Sequence, residues 1–360
     1  MNPRERFLNT MHFEPVDRIP LWEWGPWSTT VDRWRSEGMP GTGGVPQFAD
    51  CDPRHDCGIS FAMIPPFEQV VLEKDENTVT YINEKGQKLR ELHQRELSMP
   101  EHLEYPVKNR KDWLEVQKRF DPDAPQRYPA DWNARLEVWR KKDAPLQISG
   151  GRYVSFFGGV RELMGPVATM LTMYDNPSLI HEIMEYFAYF FIGVMKKALE
   201  EAPVDWVIMW EDMAYHTASL ISPKMFREFM LPNYKKVTDF IRSHGVDIIF
   251  VDSDGNVEEL IPLWLEGGVN GIYPMEVNAG MDVVELRRNY GKDLLMTGGI
   301  DKRVLAWGKE HIDAELQRKV AGLIDKGGYI PTIDHSIPPD VPYENFVYYW
   351  EQKKRMILSE

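Results

Sequence analysis

The stretch "DIIFVDSDG", residues 247–255, decides how this chain is to be read. Its four consecutive apolar residues, Ile248 to Val251, make a short run of the kind found in strands covered on both faces. The run then delivers two aspartates, Asp252 and Asp254, into a Gly-Asn turn. A carboxylate beside a core is costly unless water, a partner or a metal satisfies it. The run therefore points to a buried sheet whose strand ends carry chemistry.

Seven further runs of this type are spaced along the chain: residues 18–24, 59–65, 144–151, 205–212, 271–277, 293–301 and 328–336. Between them lie amphipathic stretches such as "NPSLIHEIMEYFAYFFIGVMKKALEE" and "SPKMFREFMLPNYKKVTDFIRSHG". The latter opens on Ser-Pro, a good cap and first turn, and closes on Gly245. Eight strands alternating with helices predict an α/β fold, a (β/α)8 TIM barrel in one domain spanning residues 1–360. One segment breaks the alternation. Residues 67–104 alternate in polarity around turn-forming residues and predict a β-meander inserted after the second strand.

Composition narrows the function. The chain has 360 residues and a net charge of −14, which argues against nucleic acid as a partner because phosphate contacts need a basic surface. No leader-like start and no long apolar span is evident, so the reading is a cytoplasmic protein with no membrane segment. The two cysteines, Cys51 and Cys57, have five residues between them in "CDPRHDC". That spacing matches no usual zinc knuckle, and they read as ordinary thiols.

In a barrel, chemistry gathers at the carboxyl ends of the strands. Those ends carry Glu23 and Trp24, Arg152, Glu211 and Asp212, Asp252 and Asp254, Glu276, Asp301, Asp334 and His335. Two carboxylates and an imidazole can hold zinc or another divalent metal with a position left open. Asp252, Asp254 and His335 are the candidate metal ligands; in the competing reading, the aspartates only cap the helix that follows. Glu211, Asp254 and Glu276 are the candidate catalytic carboxylates. Glu211 and Asp212 are neighbours on a strand, so only one of them can face the mouth. Trp24, Arg152, Trp210 and His216 are the candidate substrate contacts, the aromatics as a flat wall and the arginine for a carboxylate. The glycines of "GGRYVSFFGG" lack the spacing of a nucleotide loop.

The segments "MNPRERFLNTMHFEPVDRIPLWEW", "MYDNPSLIHEIMEYF", "LLMTGGID" and "GGYIPTIDHSIPPDVPYENF" resemble the uroporphyrinogen decarboxylase superfamily, in order and along nearly the whole chain. The resemblance implies a TIM barrel, a homodimer and one of two chemistries. One branch decarboxylates uroporphyrinogen without a cofactor. The other contains zinc-dependent methyltransferases linked to cobalamin or coenzyme M, including O-demethylase components. The decarboxylases carry an arginine-rich opening after the first strand, where this chain reads "LWEWGPW" with Glu23. An acidic, tryptophan-lined mouth would suit a substrate with eight carboxylates poorly. In the methyltransferase branch a His-x-Cys pair and Gly-Asn end the fifth strand, and a later Cys precedes Ile-Pro-Pro. Here "DSDGN" and "DHSIPP" put Asp252 and Asp254 at the pair and His335 at the last cysteine.

The resulting expectation is a methyltransferase that moves a methyl group from a small, methoxylated aromatic substrate to a corrinoid on a separate partner protein. No corrinoid-binding signature lies in the chain itself. A cofactor-free decarboxylase acting on a smaller carboxylated substrate is the alternative, and a catalytically idle binding barrel is the third reading.

Overall fold

The computed structural model describes residues 1–93 and 99–358. Seven strands form one parallel sheet: β1 (His55–Asp56), β6 (Leu146–Ser149), β7 (Trp206–Trp210), β8 (Ile248–Asp252), β9 (Gly271–Tyr273), β10 (Leu295–Ile300) and β11 (Tyr329–Ile333). Their order in the sheet is their order in the chain, each paired to the next. Between β1 and β6 the chain makes a separate antiparallel sheet, β2 (Val70–Lys74), β3 (Thr78–Ile82), β4 (Lys88–Leu92) and β5 (Glu101–Glu104). This is the meander expected over 67–104, although 94–98 lie outside the described residues.

Two of the eight expected strands differ. The first run, residues 18–24, is extended but is not a strand. Pro20 and Pro26 remove ladder donors there. Side chains complete the connection instead: Ile333 N–H donates to Glu23 Oε1 at 2.9 Å, and Leu21 N–H donates to Asp52 Oδ2 at 2.8 Å. A single parallel bridge joins Pro26 and Ile337. The second strand lies not in residues 59–65 but just before them, at β1. There Gly58, with φ +66°, turns the chain out of the sheet. Ile59, Phe61 and Met63 are buried against the outer helices.

Strand alternation sorts the core into two layers. Trp206, Ile208, Ile248, Phe250, Leu295 and Ile330 face inward, where the N-terminal helix Pro3–Met11 packs Phe7 and Met11 against them. Phe7, Trp22 and Trp206 meet at ring distances of 5.1–5.8 Å. The odd-numbered neighbours Val207, Met209, Ile249 and Val251 face outward to helices such as Pro177–Glu201 and Leu231–Ser243. Ser222 caps the turn ahead of that second helix, accepting from Met225 N–H, and Gly245 follows the helix end, as its sequence predicts. No helix among the described residues is long and apolar enough to cross a membrane.

Candidate active site

The two-residue period decides which carboxylate after β7 meets the mouth. Glu211 shares the outward side with Val207 and Met209 and is fully buried. Its carboxylate accepts from Phe156 N–H, Gly158 N–H and the Tyr234 hydroxyl at 3.0, 2.9 and 2.5 Å. Burial raises its pKa to about 7 against those hydrogen bonds. Glu211 thus ties the loop after β6 to the helix layer and does not join the residues at the mouth.

Asp212 takes the inward side. Its φ of +45° is a left-handed conformation that aspartate tolerates better than most residues. It accepts from Asp254 N–H at 3.2 Å, and its carboxylate lies 3.9 Å from Arg161.

Asp252 continues the inward row of Ile248 and Phe250. Asp212, Asp252 and Asp254 bring one carboxylate oxygen each within 4.8 Å of one another. Burial, then the charges of Asp212 and Asp254, push Asp252 up to about 8, while a hydrogen bond from Tyr273 opposes the shift. His335 Nε2 lies 3.4 Å from Asp254 Oδ2, and that contact raises the histidine's pKa. The imidazole stacks on Trp24 at 5.8 Å and Trp27 at 6.3 Å. Of the three residues read from the sequence as metal ligands, Asp252 and Asp254 stand together with Asp212, and His335 reaches this group through Asp254. Such a set of carboxylate oxygens with one imidazole fits zinc or another divalent ion.

Glu276 sits beside the cluster. Its Oε2 accepts from Gly255 N–H at 3.1 Å, and its Oε1 is 3.7 Å from Lys302. Asp334 is buried, accepting from Val277 N–H and Lys302 N–H at 2.9 and 3.1 Å. Asp301 is bound to Arg303 at 2.7 Å.

Below the cluster is a cavity of about 320 Å³ inside the sheet. Trp22, Trp24, Trp206 and Tyr273 form its aromatic walls, and Thr297 and Thr332 add hydroxyls. Cavity and cluster are contiguous: Tyr273 lines the cavity and hydrogen-bonds Asp252, and Trp24 lines it and stacks on His335.

The other candidate contacts lie outside this cavity. The buried Trp210 ring carries two guanidinium groups, Arg152 at 5.2 Å and Arg161 at 5.0 Å. Arg152 is exposed on a short turn after β6, and His216 is exposed on the loop after Asp212. Glu23 does not make the mouth acidic, contrary to expectation. Glu23 lines the cavity, but its side chain is fully buried and its charge is paired with Lys353 at 2.7 Å and hydrogen-bonded by the Tyr349 hydroxyl at 2.6 Å.

Arg54 was missed by the sequence reading. It lies in "CDPRHDC", assigned there to a connection, whereas β1 begins at the next residue and Arg54 lines the cavity. A strand placed four residues earlier would have exposed it. The thiols on either side stay protonated: burial raises Cys51 to about 11 and Cys57 higher still.

Residues 159–356 match the family model described as uroporphyrinogen decarboxylase (URO-D). A chloroplastic uroporphyrinogen decarboxylase from Zea mays is 24% identical over 189 residues, 50% of this chain and 44% of that protein. Its counterpart from Nicotiana tabacum is 29% identical over 142 residues, 38% of this chain and 34% of that protein. The chain thus spans less than half the length of these two relatives. A solved methyltransferase from Methanosarcina mazei shares the fold, with a TM-score of 0.61 and 16% identity over 98% of both chains.

Proposed function

Since the chain belongs to the uroporphyrinogen decarboxylase family, we propose that it is a metal-dependent methyltransferase component of that family. In this reading the sheet and residues 18–24 close a (β/α)8 barrel. A small methoxylated aromatic substrate enters the cavity, and its methyl group passes to a corrinoid on a separate protein.

The observation that carries this reading is the contiguity of an aromatic cavity with an aspartate–histidine cluster, joined through Tyr273 and Trp24. The cavity volume lies at the low end of ligand pockets, roughly 300–1,000 Å³, and suits a single ring. A tetrapyrrole would need more room. Asp212, Asp252, Asp254 and His335 would hold the metal. Bound there, a divalent ion would supply Lewis acidity that neutralises charge developing on the ether oxygen as the C–O bond breaks.

The chain's own residues do the rest. Trp22, Trp24 and Tyr273 hold the ring flat and exclude water from its faces. Glu276 and Asp212 bind the backbone of Gly255 and Asp254 and fix the loop that carries Asp254. Trp24 Nε1–H donates to Ser336 Oγ at 3.1 Å, which sets the wall that His335 stacks on. The half-exposed Trp27 and the exposed Tyr215, close to His335 and Gly255, offer apolar surface for the corrinoid protein.

The test is elemental analysis of purified protein beside Asp254→Ala and His335→Ala. Near-stoichiometric metal in the parent, lost in both variants, is expected, followed by methyl transfer to an added corrinoid protein. Metal-free protein after growth in zinc would end the Lewis-acid mechanism.

A second reading, a cofactor-free decarboxylase of a small carboxylate, is favoured by one observation: the cavity holds an arginine, Arg54, without an ion-pair partner among the described residues, while the charge of Glu23 is paired with Lys353. Release of carbon dioxide without metal would select it.

A further inference from the structure

Arg54 places a guanidinium at the cavity that has no ion-pair partner among the described residues. Its guanidinium makes no hydrogen bond or ion pair among the described residues; it lies over the Trp22 ring, 4.9 Å from the centroid. The acidic groups nearby are engaged elsewhere. Asp52 is held by Arg6 and by Arg18. Asp56 accepts from Gln147 Nε2 at 2.9 Å and Gly58 N–H at 2.6 Å, and its charge acts on Arg54 without ion-pair contact. Glu23 is paired with Lys353.

Cys51 and Tyr273, the other groups close enough to influence Arg54, are neutral at physiological pH, their pKa values raised by burial. Arg54 is exposed and lines the cavity, while the protein around it lowers its pKa through desolvation. A guanidinium kept in such a place without a partner is a receptor waiting for an anion. Its planar fork suits a carboxylate, which it can bind through two parallel hydrogen bonds.

We infer that Arg54 recognises the carboxylate of a planar aromatic acid, whose ring lies among Trp22, Trp24 and Tyr273 with its far end toward the aspartate–histidine cluster. The inference rests on the reading of the cavity as the substrate site and specifies the substrate class. One guanidinium matches one negative charge, and the cavity volume matches one ring. The carboxylate is then held at Arg54, and the reacting substituent is the part of the ring that meets the cluster, which adjoins the cavity through Tyr273 and Trp24.

Calorimetric titration with 4-methoxybenzoate and its neutral isostere 4-methoxybenzamide tests this directly. The parent protein is expected to bind the acid at least about tenfold more tightly than the amide. Arg54→Met should lose that preference and bind the amide as the parent does. Arg54→Lys, which keeps the charge but not the fork, should fall between them. Because Arg54 has no hydrogen-bond partner to lose, both variants should melt within a few degrees of the parent. Equal binding of acid and amide by the parent, an undiminished preference in Arg54→Met, or no binding of either probe would overturn the inference.

Methyl transfer is measured separately. Arg54-dependent binding without methyl transfer to a corrinoid protein would leave this inference standing and remove the methyltransferase reading. Methyl transfer from methoxybenzene and 4-methoxybenzoate alike, unchanged in Arg54→Met, would do the reverse.

Discussion

His335 Nε2 stands 3.4 Å from Asp254 Oδ2, linking the segment after β11 to the loop after β8 across the mouth of the sheet. These residues are 81 positions apart in the chain, and the contact exists only because the sheet curls. It draws one imidazole to a group of three carboxylates that otherwise repel one another, with Arg161 giving limited relief at 3.9 Å from Asp212.

Asp212 belongs to that group by geometry, so Asp212→Asn should weaken zinc binding at least about tenfold, as Asp254→Asn should. Glu211→Gln, one residue away but on the other face, should leave it unchanged. Calorimetric zinc titrations of the three variants decide this; parent-like binding by Asp212→Asn would remove the third carboxylate from the set.

Glu211 predicts a pH dependence of stability. Its pKa in the folded chain is raised from the ordinary 4.5 to about 7, so the folded state holds a proton that the unfolded state has already released. The stability this contributes is complete below about pH 4.5 and is lost as pH rises through about 7, with an upper range of about 3 kcal/mol. Urea midpoints measured from pH 4.5 to 8 should fall more steeply in the parent than in Glu211→Gln. Parallel curves would contradict it.

Lys353 and Glu23 form an ion pair with both side chains fully buried, and Glu23 also accepts from Trp24 N–H, Ile333 N–H and the Tyr349 hydroxyl. Lys353→Met would leave the carboxylate buried without its counter-charge, which typically costs about 3–5 kcal/mol. Thermal denaturation should show a large loss in this variant. A loss under about 1 kcal/mol would mean that the hydrogen bonds alone carry Glu23.

Gly255 carries φ +85°, and a Cβ placed there would sit 2.7 Å from the Ala214 carbonyl oxygen. Gly255→Ala should therefore cost about 1–3 kcal/mol and displace the loop that carries Asp254. Its zinc affinity should fall although no ligand has been changed. Unaltered stability and affinity would show that the loop adapts.

The alternation of apolar runs and amphipathic stretches was enough, by itself, to determine an α/β chain with a parallel sheet and an antiparallel meander, because strand burial and helix amphipathicity are local patterns. The ends of the runs also located Asp252, Asp254 and His335. Parity along β7 was half legible: it required that only one of Glu211 and Asp212 face the mouth, but the inward packing of Trp206 and Ile208, seen only in the fold, makes it Asp212 rather than the expected Glu211. What only the tertiary structure decided depends on partners distant in sequence. Glu23 ends an apolar run like the others, yet Lys353, 330 residues later, neutralises its charge in a buried pair. Arg54 looked like part of a connection until β1 paired with β6 and turned it into the cavity. A local pattern can say that a side chain is charged and near a strand end; which charges are neutralised and which are left to meet a ligand depends on what the fold brings beside them.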